Sequence, residues 1–171
     1  LYWLSRPDGT WAETYYYQER TMRGFVPAAI ALARKGMPNL LKDPRAQAVL
    51  RMEIATLTPI DPRQNARCFP SIGDGTYYVP KPSLFWAAKN VATFNPDLAA
   101  ELVWAWQQQG RPVGWLFNKL HPCTWFLGDP DAPARAPRLT SQVMDGAGLI
   151  LRSRYNQACE SYLHLRAATF A

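Results

Sequence analysis

The chain has 171 residues, 48% of them apolar, with a formal net charge of +6 and a pI near 9.4. That length supports one ordinary domain with a sizeable core, and no window approaches the ~18 consecutive apolar residues of a membrane-spanning helix. The positive balance favours a polyanionic partner, but Lys and Arg are dispersed along the chain, which argues against a nucleic-acid surface. Cys68, Cys123 and Cys159 lie far apart and form no C-x-x-C pair, so they suggest small buried hydrophobes rather than a zinc knuckle or a redox motif.

Leu1 to Leu4 reads as a helix tail or an extended lead-in. Pro7-Asp8-Gly9 reads as a turn, with Pro presetting φ at the second position. A helix then runs from about Glu13 to Lys35, with Met22, Phe25, Val26, Ala29, Ile30 and Ala33 as its apolar face. Gly36 fits its C′ position and Pro38 its stop. Gly24 and Pro27 inside it predict a kink or a break. The opening of this helix carries Glu13, Tyr15, Tyr16, Tyr17 and Arg20. Tyr17 shares a face with Arg20 at i, i+3, and Tyr16 meets Arg20 at i, i+4. A cation beside a phenol favours the phenolate, which suits a tyrosine that moves a proton. Packing tyrosines with a hydroxyl in water are the alternative.

Asp43 as N-cap and Pro44 at N1 start a second helix, buried through Ala46, Val49, Leu50, Ile54 and Leu57 and ended by Thr58-Pro59. Ile60 to Pro82 is irregular and long enough to suggest function. Within it, Gly73-Asp74-Gly75 turns tightly around one carboxylate, or is an ordinary solvated turn. Ser83 is the expected N-cap of a third helix, and Asn95-Pro96 starts a fourth that runs to about Gln109, with Gly110 as its stop. Arg111 to Arg138 is broken by five prolines and reads as a short helix near Trp115 to Leu120, then a linker. After Leu139 the period becomes two, giving strands at Gln142 to Met144, Gly148 to Arg154 and Ser161 to Ala168, the last two joined as a hairpin. Helices first and strands second indicate two packed units, residues 1–137 and 138–171.

Neither His121, followed by proline, nor His164, in a strand, assembles a Ser-His-Asp triad, and no G-x-S-x-G, dinucleotide fingerprint or P-loop is present. Two distant histidines hold no metal. Glu13 and Asp74 are candidate paired carboxylates. Among seven Trp, Trp11 stands nearest the tyrosines and is the candidate for stacking on a sugar.

Asp8-Gly9-Thr10-Trp11-Ala12-Glu13 with Tyr17 four residues on resembles the D-G-S/T-W-x-E-x-x-x-Y signature of the heparinase II/III-like polysaccharide lyases, a family that includes alginate lyases. Phe69-Pro70-Ser71-Ile72-Gly73-Asp74 looks like the downstream Pro-x-x-Gly-Asp loop of that family. Asp145 to Ser153 and Tyr162 to Ala167 look like its first β-domain strands. The resemblance covers nearly the whole chain in the right motif order. It implies a mainly α chain with a C-terminal antiparallel β part: the last helical hairpins of an (α/α) toroid, followed by the first strands of a β-sandwich-like domain. It implies β-elimination at a uronic acid of alginate or a heparan-sulfate-like polymer, with Tyr17 as general acid or as acid and base. Tyr15 and Tyr16 are register rivals. Arg20 then tunes Tyr17 or meets substrate anions, Glu13 orients the site or holds the junction, and Trp11 and Asp74 complete the substrate contacts. No cofactor belongs to residues 1–171, although a structural zinc in the β-domain of the full-length protein is compatible with the family. Nucleic acid and membrane are not expected partners, and the location implied is periplasmic or secreted.

The family's Asn/His region would precede Leu1 and its His-x-His-x-Asp segment would follow Ala171. The expectation is therefore an internal piece of an enzyme, inactive alone. A non-catalytic sugar-binding or scaffold member of the same fold is the competing expectation.

Overall fold

The computed structural model describes residues 3–72, 79–112, 127–146 and 148–166. The lead-in is extended and folds back at the predicted turn. The Gly9 amide donates to the Arg6 carbonyl and the Arg6 amide to the Thr10 carbonyl, both at 2.9 Å. Asp8 Oδ1 accepts from the Thr10 amide at 2.9 Å, and Ser5 and Trp11 form an antiparallel bridge. Gly9 has φ +89°, and a Cβ there would lie 2.1 Å from the Ala48 carbonyl oxygen, so only glycine lets this turn rest on the neighbouring helix.

Helix α1 spans Tyr15–Arg34 and continues through Gly24 and Pro27 as one helix, so of the kink or break that the sequence suggests there, the break does not occur. The magnitudes explain this. An interior proline costs ~3 kcal/mol, whereas Met22, Val26 and Ile30, all at most 2% exposed, each contribute ~1.5–3 kcal/mol by burial. At its end, the Met37 amide donates to the Leu32 carbonyl and the Gly36 amide to the Ala33 carbonyl, both at 3.1 Å. That is a Schellman cap, with Gly36 at φ +79° as its sequence position predicts. A single 3-10 turn, Leu40–Lys42, leads into α2, Pro44–Ala55. Asp43 caps α2 through the Arg45 amide at 2.7 Å.

The irregular region is partly ordered by a ribbon of two-residue strands, β1 (Ile60–Asp61) and β2 (Ala66–Arg67), paired antiparallel. Helix α3 is Pro82–Val91. Its N-cap is Lys81, and Ser83, the expected cap, is one turn residue inside with its hydroxyl turned to Glu19. Helix α4 is Pro96–Gln108, capped by Asn95 through the Leu98 amide at 3.2 Å. α3 packs against both α1 and α4, and Phe85 stacks on Trp106 with ring centroids 4.2 Å apart. The expected helix near Trp115 to Leu120 lies outside the described residues.

Strands β3 (Gln142–Met144), β4 (Gly148–Ser153) and β5 (Ser161–Leu165) form an antiparallel sheet in that order. Strict alternation sends Met144, Ile150 and Arg152 toward the helices, leaving Val143, Leu151, Leu163 and Leu165 exposed on the other face. Buried polar contacts join sheet to helices. Arg152 donates to the carbonyl of Ala55, the last residue of α2, at 3.0 Å and to the Leu57 carbonyl just beyond it at 2.6 Å. The Tyr162 hydroxyl donates to the Thr56 carbonyl at 3.2 Å. Glu160 is clamped between Arg67 at 2.7 Å and Arg152 at 2.5 Å. Burial alone would raise the Glu160 carboxyl, but the two guanidinium hydrogen bonds outweigh it and hold it below its ordinary range. The described residues thus make four helices and two small antiparallel sheets, a mixed α and β arrangement.

Candidate functional site

The turn-to-helix junction sorts its side chains by burial. Trp11, Thr14 and Tyr15 face the core, whereas Glu13, Tyr17 and Arg20 face solvent. Trp11 is 2% exposed, so its ring has no free face for a sugar; the bridge to Ser5 carries it into the core beside α1. Asp8 and Gly9 of the same stretch are also committed to structure. Asp8 Oδ2 accepts the Asp145 amide at 2.7 Å, and Arg6 pairs with the Asp145 carboxylate at 3.2 Å, which ties the turn to the β3–β4 connection.

The three tyrosines are not equivalent. Tyr15 is 6% exposed, and burial, with Tyr162 nearby as a second cause, pushes its phenol well above the ordinary value. Its ring lies 5.7 Å from Phe69. Tyr16 is half-buried, with the Arg20 guanidinium 5.2 Å above its ring, the i, i+4 contact that the spacing predicts. Tyr17 is 38% exposed and meets Tyr16 edge-on at 5.2 Å. It is the third residue of α1. Glu13 is exposed just before the helix. Asp74, the remaining candidate, lies outside the described residues, so its proposed pairing with Glu13 is not seen.

One imidazole reaches this region from the sheet. His164 on β5 is 6.5 Å from Tyr15 and 6.4 Å from Tyr162, measured between ring centroids. Strand periodicity places it on the inward face, opposite Ile150, but sequence alone does not bring β5 to α1.

Behind the junction lies a buried ionic network that the sequence reading missed. Lys81 Nζ donates to Gln18 Oε1 at 2.8 Å and to Glu53 Oε1 at 2.9 Å. Lys81 and Glu53 side chains are both 0% exposed. The same ammonium sits 4.1 Å from the centre of the Phe69 ring and 5.4 Å from that of Tyr15. Glu19 accepts from the Ser83 hydroxyl at 2.6 Å and pairs with Arg23 at 3.3 Å. Desolvation, with the Glu53 charge second, pushes the Glu19 carboxyl up to about 8, and desolvation likewise raises Glu53. Apart from the partly exposed Arg23, the network is closed to solvent, and its contacts join α1, α2 and the start of α3. A signal was available. Glu19 lies three residues before Met22, and Glu53 three after Leu50, both on the apolar stripes of their helices.

Among the described residues, no group of three or more His, Cys, Asp or Glu side chains could hold a metal ion. The zinc compatible with the family resemblance would need a His-x-His-x-Asp segment, which residues 1–171 do not contain. Cys68 is buried, its thiol pushed up to about 11 by desolvation, and Cys159 is exposed. Among the described residues, no helix is long and apolar enough to cross a membrane. No protein-family model, curated protein or solved structure matches the chain.

Proposed function

We propose that this chain carries the proton-transfer tyrosine of a heparinase II/III-like polysaccharide lyase acting on a uronic-acid polymer such as alginate or heparan sulfate. The observation that carries the reading is the sorting of the three tyrosines. Tyr15 is sealed in the core, Tyr16 is half-buried under Arg20, and Tyr17 alone of the three is exposed, at a helix N-terminus.

In the reaction, a base takes the C5 proton of the uronate. The electron pair forms the C4–C5 double bond as the C4–O4 bond breaks, and O4 leaves with a proton from the general acid. Tyr17 is the acid, or both base and acid. Its neighbours supply charge: Arg20, one turn on, attracts the anionic substrate and supports a phenolate, and Glu13 orients the approach. The buried Lys81–Glu53–Glu19 network keeps the Tyr17 backbone fixed, which positioned proton transfer requires. In this reading the helices are the last hairpins of an (α/α) toroid and the sheet begins a β-sandwich-like domain. The exposed apolar face of the sheet supports a second layer there. The enzyme works on polysaccharide in the periplasm or outside the cell.

A second reading is a sugar-binding or scaffold member without catalysis. It is favoured by the commitment of Asp8, Gly9 and Trp11, three residues of the signature, to turn and core. The full polypeptide carrying this chain separates the two when incubated with alginate, heparan sulfate and chondroitin and followed by the ultraviolet absorbance of unsaturated uronate. The lyase reading predicts product from at least one polymer and its loss in Tyr17→Phe. Binding without product from any of them supports the scaffold.

A further inference from the structure

Where α2 ends, four successive carbonyls are all taken by side chains that strands supply. Arg152 of β4 donates to Ala55 and Leu57, Tyr162 of β5 to Thr56, and Arg67 of β2 to Thr58 at 2.9 Å. A helix leaves the carbonyls at its C-terminal end without partners of its own, so the β4–β5 hairpin serves as a cap for α2. Its seat is mainly polar. Among the described residues of the three-stranded sheet, only two apolar side chains, Met144 and Ile150, are buried. An element that buries so little apolar surface opens at lower cost than a core helix.

The seat brings two guanidiniums together, Arg67 with its side chain 2% exposed and Arg152 with its side chain 0% exposed. One carboxylate, Glu160, pairs with both, at 2.7 Å and 2.5 Å, and also accepts the Asn156 amide at 3.1 Å. Among the described residues no other carboxylate pairs with either guanidinium. The surrounding rings add no anion. Tyr155 lies 5.3 Å from Arg67, Tyr162 lies 4.7 Å from Arg152, and burial pushes both phenols above their ordinary value. From α4, Trp104 lies 5.5 Å from Arg67, and Glu101 is engaged by Arg135 at 3.5 Å. His164 borders Tyr162, with ring centroids 6.4 Å apart. A buried ion cluster that loses one member keeps an uncompensated charge, and here the remainder is two cations.

We propose that Glu160 is an acid-released latch: neutralising it leaves Arg67 and Arg152 facing each other, and the β3–β4–β5 sheet opens away from the end of α2 while α3 and α4 stay folded. Burial opposes the ionisation of Glu160, but the two guanidinium hydrogen bonds outweigh it and hold the carboxyl below its ordinary range. Its contribution is therefore complete at neutral pH and is lost as pH falls through that lowered value. The latch concerns the joint between sheet and helices and does not depend on the lyase reading.

The test is amide hydrogen exchange of the 171-residue protein at neutral pH with Glu160→Gln, which keeps the shape and removes the charge. A hydrogen bond to a charged group is worth about tenfold or more in an opening equilibrium. Exchange in β3, β4 and β5 should accelerate by about that factor, with α3 and α4 at parental rates. The Arg6–Asp145 pair and the Asp8 contact, at the other end of the sheet, are left intact by this variant. Adding Arg67→Met removes one of the facing cations and should slow sheet exchange again. In the parent, acidification should move the amide resonances of the sheet toward unfolded positions before those of α3 and α4. Parental exchange in Glu160→Gln overturns the latch. A double variant that exchanges as fast as Glu160→Gln overturns the like-charge account. Sheet and helices losing protection together, in the variant or in acid, overturns the separate opening.

Discussion

Gly9→Ala should be among the most damaging single-methyl changes in this protein, and the structure says why in two parts. The first is backbone strain: φ is +89°, where an L side chain costs ~1–2 kcal/mol. The second is overlap, because the new Cβ would stand 2.1 Å from the Ala48 carbonyl oxygen and 2.7 Å from the Val49 amide nitrogen, both backbone atoms of α2. Relieving such a clash by backbone shift costs ~1–3 kcal/mol more, giving ~2–5 kcal/mol in total. Gly36→Ala is the matched control, since its φ is +79° and nothing lies within 4 Å of the added methyl. It pays the strain term alone. With a urea m-value of ~2 kcal/mol/M, the midpoint should fall by ~1–2.5 M for Gly9→Ala and ~0.5–1 M for Gly36→Ala. Equal midpoint shifts in the two variants would refute the claim that the turn rests directly on α2.

The buried network makes two further predictions. Lys81→Met leaves Glu53 buried without its cation and should cost ~3–5 kcal/mol in urea unfolding, whereas Lys81→Met with Glu53→Leu should recover most of that loss; a double variant as unstable as the single one would contradict the pairing. Glu19 binds a proton more tightly folded, at about 8, than its reference value of 4.5. The native state therefore holds more protons than the unfolded chain between those values, and stability should fall as pH rises from about 4.5 to about 8. Glu19→Gln should make that slope shallower, and an unchanged slope would show that Glu19 titrates as an ordinary carboxyl.

Local signals accounted for most of the element boundaries. Asp43-Pro44 and Asn95-Pro96 start their helices where cap chemistry places them, Gly36 ends α1 in a Schellman cap, and period two finds β3, β4 and β5. Where local logic failed, a tertiary contact had overridden it. Ser83 looks like a cap, but its hydroxyl is drawn away by Glu19 from another helix. Gly24 and Pro27 predict a kink or a break, and no break occurs because the helix is held by the residues it buries on α3 and the core. Trp11 is a sugar-stacking candidate by its nearness to the tyrosines; the turn that buries it depends on α2, remote in sequence. Lys81, Glu53 and Glu19 lie outside the sequence expectation because charged residues are usually assigned to solvent, and their contacts, Lys81 to Glu53 and Ser83 to Glu19, span 28 and 64 residues of chain. The candidate tyrosines were legible by type and spacing, but their ranking by exposure came only with the packing of Tyr15 against Phe69 and His164.

The central claim is that Tyr17 moves the proton while Tyr15 serves the core. The most direct measurement compares Tyr17→Phe and Tyr15→Phe in the full polypeptide, reading initial rates of unsaturated-uronate formation together with thermal midpoints. A positioned acid or base contributes typically 10²–10⁴-fold, so Tyr17→Phe should lose about that much rate with an unchanged midpoint. Tyr15→Phe should lower the midpoint while keeping most of the rate. Parental turnover in Tyr17→Phe, or a rate loss that falls on Tyr15→Phe instead, would contradict the assignment.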